Sequence, residues 1–155
     1  SALEEVLKNR ISLVPGGRSL VNTMKHRGCY TALVSGGFTL FANFIGHELG
    51  FNEVRANELL FDCGVLSGLV KEPILGKSSK LTALTEISRL LGINTTDCIA
   101  VGDGANDITM LSAAGLGVAF HAKPIVQEVA DVKINFGDLT SLLFLQGYTV
   151  DEFSF

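Results

Sequence analysis

Apolar residues recur along the chain in two patterns, one typical of helices and one typical of buried strands. After a short helical lead-in, spacing of three and four residues predicts helices over 20–27, 38–49, 79–91, 107–114 and 124–130. Gly50 and Gly92 follow two of them as C-terminal stops. Short apolar runs predict strands at 30–34, which stops at Ser35, and at 53–57, 98–101, 116–120 and 132–135, while 59–70 alternates like a hairpin.

The alternation of strands and helices predicts an α/β fold. We expect three layers, with a mostly parallel sheet that carries helices on both faces. In such sheets ligands bind beyond the C-terminal ends of the strands, and Ser35 and Asp103 both follow strand ends. The sequence therefore predicts that two polar loops meet at one rim of the sheet.

Composition narrows the class of protein. The 155 residues suit one domain, spanning 1–155, and 47% of them are hydrophobic. The net charge of −4 leaves no basic surface for nucleic acid. No apolar stretch is long enough for a membrane helix, and no signal-peptide pattern opens the chain. Three cysteines without metal-ligand spacing are expected to be reduced thiols, which favours a cytoplasmic protein.

The loop of residues 103–107, which we call the aspartate loop, carries the strongest chemical signal. Two carboxylates about 6 Å apart would repel each other by about 3 kcal/mol near a protein surface, so Asp103 and Asp107 need a cation. An Asp-Gly turn with a helix cap would explain one acid, but not two acids together with Asn106. Hard oxygen ligands on a loop suit Mg²⁺, which completes its coordination with water and phosphate oxygens. Phosphate chemistry is therefore the leading hypothesis.

Two further elements are consistent with phosphate binding. Residues 35–37, which we call the Ser-Gly-Gly loop, offer a hydroxyl and backbone N–H groups before a helix, although Ser35 could simply cap that helix. Lys80 lies at the start of the next predicted helix, where the helix dipole disfavours a cation. It could neutralise a phosphoryl group or be a solvated surface lysine, and Lys77 is a competitor for the same role.

The motifs VSGGF, Lys80 and GDGANDITM, in this order, resemble those of the haloacid dehalogenase superfamily of phosphatases. The resemblance extends over nearly the whole chain, and the branch it most resembles hydrolyses O-phospho-L-serine. It implies a Mg²⁺-dependent phosphatase in which Lys80 and Asp103 are catalytic. The remaining roles that it implies are phosphate or substrate binding by Ser35, Gly36, Lys80 and Asn106, metal ligation by Asp103, and support of the metal site by Asp107.

One part of the family pattern is missing. No DxDxT motif, which carries the nucleophilic aspartate of the family, occurs in these 155 residues. Most of the substrate-recognising cap is also missing, and residues 1–14 would be the end of the cap region. We therefore expect the chain to be the C-terminal part of a longer enzyme and to be inactive alone. The alternatives are a nucleophile-free module that binds metal or phosphate and serves regulation or interaction, and a phosphatase for another small phosphomonoester.

The first central strand of the family would also be missing from this chain. In the family it lies between the strands that match 30–34 and 98–101. Unpaired backbone groups there would cost about 1–3 kcal/mol each, so we expect a repair. The strand could come from a separate N-terminal segment, which we favour, a second copy could donate one, or the flanking strands could pair directly.

Overall fold

The computed structural model describes residue 9 and residues 11–155. The predicted lead-in helix and the predicted end of the cap at 1–14 therefore lie largely outside the described residues. The helices are α1 (Gly17–His26), α2 (Thr39–Leu49), α3 (Ser79–Leu91), α4 (Ile108–Ala113), α5 (Pro124–Gln127) and α6 (Ser141–Leu145). The strands are β1 (Ala32–Phe38), β2 (Glu53–Asn57), β3 (Leu59–Asp62), β4 (Val65–Val70), β5 (Ile99–Gly102), β6 (Leu116–Phe120) and β7 (Val132–Ile134).

The described chain divides into two compact units. The first unit comprises the chain up to Ile74 together with Gly137–Phe155, and the second unit comprises Leu75–Phe136. The prediction of a single domain over 1–155 stays a prediction. No described helix has both the length and the apolar character that crossing a membrane requires.

The first unit contains a parallel pair, β1 and β2, connected through α2, and an antiparallel hairpin of β3 and β4. Its buried apolar side chains come from α1, α2 and α6 and include Val21, Leu49 and Leu143. Helix α2 ends at Gly50, whose φ of 79° is left-handed, and its N–H bonds to the carbonyls of Gly46 and His47. The predicted C-terminal stop at this glycine is confirmed.

The second unit is a parallel sheet in the order β5, β6, β7. Its core consists of Ala100, Leu111, Ala114, Ala119 and Val126. Helix α4 lies so close to β6 that a Cβ at residue 117 would overlap the main chain of α4. Glycine at 117 therefore permits the helix to pack directly on the strand. The α/β class with parallel strands and flanking helices is confirmed.

Several predicted boundaries are wrong. The strand predicted at 30–34 is β1, which begins at Ala32 and runs through the Ser-Gly-Gly loop to Phe38. The helix predicted at 124–130 ends at Gln127, and α6 has no counterpart among the predicted helices. At five residues, α6 is too short for a periodic pattern to be recognised.

The strands that match those flanking the missing central strand each have a single partner in the described part of the chain. β1 pairs with β2, and β5 pairs with β6. The three possible repairs, including the favoured one by a segment outside this chain, stay predictions.

Candidate functional site

The Ser-Gly-Gly loop is built as a continuation of β1 rather than as a helix cap. Helix α2 begins at Thr39, and its N-cap residue, Phe38, makes no capping side-chain hydrogen bond. The Ser35 hydroxyl oxygen instead accepts a hydrogen bond from the Gly37 N–H at 3.0 Å. Because a hydroxyl both donates and accepts, this bond leaves the Ser35 proton able to bind an anionic oxygen.

Gly36 is the most open residue of the loop. It is exposed, and a Cβ built at this position would meet no atom within 4 Å. Its carbonyl oxygen accepts a hydrogen bond from the side-chain amide of Asn57 at 2.9 Å. The main chain at Gly36 is therefore open to an approaching group, and Asn57 holds its carbonyl.

The aspartate loop owes its shape to Asp107. This residue is 1% exposed, and its Oδ2 accepts hydrogen bonds from the N–H groups of Asp103 and Gly104, each at 3.0 Å. At Gly102 a Cβ would lie 2.6 Å from the same oxygen, so the end of β5 requires glycine for Asp107 to approach. The buried carboxylate thus stabilises the turn by accepting hydrogen bonds from its backbone.

The second oxygen of Asp107 pairs with Lys80. The ammonium Nζ donates to Asp107 Oδ1, and the side chains are 15% and 2% exposed, respectively. This ion pair supplies a cation to one of the two neighbouring acids, Asp107, and it offsets the unfavourable position of Lys80 in the first turn of α3. Lys77 is exposed, so burial distinguishes Lys80 from its competitor. Lys80 is not a freely solvated surface lysine, and its remaining N–H groups can still donate.

Asp103 has a fixed backbone and an uncommitted side chain. Its N–H bonds to Asp107, and its carbonyl accepts from the N–H of Lys123 at 3.1 Å. Its carboxylate is exposed and makes no hydrogen bond or ion pair with the residues the structure describes. Asp107 is buried and paired with Lys80, whereas Asp103 is exposed and unpaired among the described residues. Of the two, Asp103 is the one that can ligate a metal.

The donor set can be compared with the needs of Mg²⁺. Within residues 11–155 no three His, Cys, Asp or Glu side chains group together as a metal cage. Mg²⁺ commonly keeps several waters and binds through one or two carboxylates plus phosphate oxygens. One exposed carboxylate fits that requirement, whereas it would not suit a metal that needs a full set of protein ligands.

The predicted site residues fall in both units. The second unit brings together Lys80, Asp103 and Asp107, and it places Asn106, which is exposed, in the same turn. Ser35 and Gly36 belong to the first unit. The predicted meeting of the two loops at one rim, and the roles assigned to these residues, stay predictions. The sequence analysis did not predict that Asn57 contacts the Ser-Gly-Gly loop. The one feature that pointed to it is the position of a polar amide at the end of a short strand.

Comparisons with known proteins agree on one family. The model of the haloacid dehalogenase-like hydrolases matches residues 1–112. A phosphoserine phosphatase of Streptomyces coelicolor is 38% identical over 152 residues, which are 98% of this chain and 37% of that protein. A phosphoserine phosphatase of Methanocaldococcus jannaschii is 42% identical over 141 residues, which are 91% of this chain and 66% of that protein.

Solved structures give the same result. A phospho-aspartyl intermediate analogue of phosphoserine phosphatase has a TM-score of 0.84 and 42% identity, and the match covers 92% of this chain and 68% of that one. A substrate-bound phosphoserine phosphatase has a TM-score of 0.85 at 42% identity, with 92% and 67% coverage. The chain spans from about a third to two thirds of the length of the curated relatives it matches.

Proposed function

This chain belongs to the haloacid dehalogenase-like hydrolase family, and on that premise we propose that the protein containing it hydrolyses O-phospho-L-serine to L-serine and phosphate with Mg²⁺. The substrate is suggested by the relatives, which are named phosphoserine phosphatases and match nearly the whole chain. The observation that carries the proposal is the Asp107 carboxylate. It holds Lys80 and the backbone of Asp103 at one buried point.

In this proposal the phosphoryl group is bound by three parts of the chain. The Ser35 hydroxyl donates to one phosphoryl oxygen, and the open space at Gly36 admits the group. Lys80 neutralises negative charge while Asp107 keeps its ammonium in place. Asn106 adds a polar contact to the substrate.

Mg²⁺ would be held by the exposed carboxylate of Asp103, with Asp107 supporting the turn from behind. When bound, the ion would neutralise charge that develops on the phosphoryl oxygens. The chain's own contribution is to fix the backbone of Asp103 at both its N–H and its carbonyl. Fixing the backbone limits the positions that the carboxylate can reach.

Kinetics of the full-length protein test the proposal. Phosphoserine should be hydrolysed in preference to p-nitrophenyl phosphate, and only with Mg²⁺ present. Lys80→Ala should abolish turnover, whereas the matched variant Lys77→Ala, which removes an exposed lysine three residues away, should leave it intact. Absence of phosphoserine turnover in the wild type, with another phosphomonoester hydrolysed, would identify a different substrate for the same site.

The metal role of Asp103 has its own variant. Asp103→Asn should lower activity by roughly 100-fold or more, since even residues that only support a metal ligand cost 10–100-fold. It should also raise the Mg²⁺ concentration needed for half-maximal activity. Asp151→Asn, which removes an exposed acid elsewhere, is the control. Unchanged activity and Mg²⁺ dependence in Asp103→Asn would refute the ligand assignment.

The 155-residue chain by itself should have no significant activity, because it contains no DxDxT motif. Without a carboxylate nucleophile the covalent route of the family is closed. Hydrolysis of phosphoserine by the purified chain, lost in Lys80→Ala, would contradict this expectation. The Lys80 variant excludes a contaminating phosphatase as the source of turnover.

A further inference from the structure

Asn57 is a buried polar residue that the proposed function does not use. It is the last residue of β2, it is 6% exposed, and its Nδ2 donates to the carbonyl oxygen of Gly36 at 2.9 Å. Buried amides are retained where they satisfy a specific partner, because an unpaired one is costly. One partner here is the main-chain carbonyl of Gly36 in the Ser-Gly-Gly loop.

The pairing of β1 with β2 is irregular at this carbonyl. Val34 lies opposite Arg55, and Phe38 lies opposite Asn57. Three residues of β1, 35–37, therefore oppose the single Ala56 of β2, and the register shifts between these points. Such an irregularity interrupts the regular ladder of hydrogen bonds. At this interruption the Asn57 amide donates to the Gly36 carbonyl.

The effect of Asn57 reaches Ser35 through one peptide plane. The carbonyl of Gly36 and the N–H of Gly37 belong to the same rigid, planar peptide group. Asn57 holds the carbonyl end of this group, and the Ser35 hydroxyl oxygen accepts from its N–H end. Two adjacent glycines leave the loop with wide conformational freedom. An external tie is therefore needed to fix the direction of the Ser35 hydroxyl.

We propose that Asn57 is a positioning residue for phosphate binding: it fixes the Gly36–Gly37 peptide and thereby the Ser35 hydroxyl. The proposal rests on the proposed function only in taking the Ser-Gly-Gly loop as the phosphate site. It assigns Asn57 no contact with phosphate, which it affects through the loop alone.

Binding of inorganic phosphate to the full-length protein, measured by calorimetry with Mg²⁺ present, tests the proposal without requiring turnover. Asn57→Leu keeps a branched side chain of similar size and removes the donor. It should weaken phosphate binding about tenfold, the equivalent of one hydrogen bond. Asn57→Ala, which also lacks a side-chain donor, is used if the leucine variant does not fold. The control is Thr23→Val, because Thr23 is fully buried and its hydroxyl accepts from the Ser154 N–H at 2.8 Å, outside the loop.

A double-mutant cycle with Ser35→Ala separates positioning from general destabilisation. If Asn57 acts through Ser35, the double variant should bind phosphate within about twofold of Ser35→Ala alone, because residues that act as a unit are not additive. Thr23→Val should leave phosphate affinity unchanged even if it lowers the unfolding midpoint as much as Asn57→Leu does.

Each outcome bears on the proposal. Unaltered phosphate affinity in Asn57→Leu, fully additive effects with Ser35→Ala, or a wild type that binds no phosphate would overturn it. The expected phosphate pattern in a protein that does not hydrolyse phosphoserine would support the role of Asn57 and refute the proposed substrate. Phosphoserine turnover with phosphate binding insensitive to Asn57 would refute only this inference.

Discussion

Replacing Asp107 by asparagine tests whether the buried carboxylate organises the aspartate loop. Asparagine has nearly the same size, so it creates no cavity. Its oxygen can still accept from the N–H groups of Asp103 and Gly104. Its NH₂ group, however, would face the Lys80 ammonium, placing a donor where an acceptor had been. The substitution therefore removes the ion pair while leaving the turn's backbone bonds possible.

The expected cost follows from burial. Removing one partner of a buried ion pair costs about 3–5 kcal/mol, because the other charge is left uncompensated. The Lys80 side chain is 15% exposed and that of Asp107 is 2% exposed. Since the lysine can shift towards water, we expect the low end of that range, about 3 kcal/mol.

Urea unfolding of the full-length protein, followed by circular dichroism, measures this cost. The set comprises the wild type, Asp107→Asn, Lys80→Met and the double variant, with the exposed Asp151→Asn as control. Because the two residues are in direct contact, the double variant should lose less than the sum of the single losses, with a coupling free energy of about 1–3 kcal/mol. The control should change the unfolding free energy by less than about 0.5 kcal/mol.

A loss below about 1 kcal/mol for Asp107→Asn would refute the reasoning, since it would match an exposed ion pair rather than a buried one. Strict additivity of the two single losses would refute it as well. Either result would mean that Lys80 and the turn are held by other contacts.

Two further predictions concern stability: one its dependence on pH, the other the packing at Gly102. Hydrogen bonds from the Thr140 hydroxyl and N–H keep the pKa of Asp138 below its usual value. The ionised Asp138 therefore stabilises the fold fully above about pH 4, and this stabilisation is lost as the pH falls through the lower pKa of the folded state. The melting temperature of Asp138→Asn should therefore decline less than that of the wild type between neutral and acid pH, and parallel curves would contradict this. Gly102→Ala should unfold at a much lower urea concentration than the wild type, because its Cβ would overlap Asp107. The control Gly76→Ala, whose Cβ would meet no atom within 4 Å, should unfold at the same urea concentration as the wild type. Equal unfolding midpoints for Gly102→Ala and the wild type would contradict the prediction.

Much of the fold could be predicted from local pattern. The helical spacing of Leu81, Leu84 and Ile87 leads to α3, and the glycine stops at residues 50 and 92 both adopt the left-handed backbone that ends a helix. These features involve residues within one or two turns of one another. Their physical cause, burial of one helix face and the freedom of glycine, is visible in the sequence.

The chemistry of the aspartate loop was also visible, because Asp103, Asn106 and Asp107 are neighbours in the chain. The sequence did not show, however, which of the two acids is buried and which is exposed. Both acids read alike in the sequence, yet one is buried against Lys80 and two backbone N–H groups, and the other is exposed without a side-chain partner among the described residues. Burial depends on what packs around a residue, which its neighbours in sequence do not specify.

Tertiary structure alone decided the contacts between distant residues. Lys80 meets Asp107 across 27 residues, and Asn57 meets Gly36 across 21. The continuation of β1 through two glycines that ordinarily end a strand likewise depends on β2, which lies alongside it. Local propensity is set by a residue and its near neighbours, whereas these contacts form only when strand pairing and helix packing bring remote segments together. The sequence therefore determined which residues could do chemistry, and the packing of helices and strands determined which atoms meet.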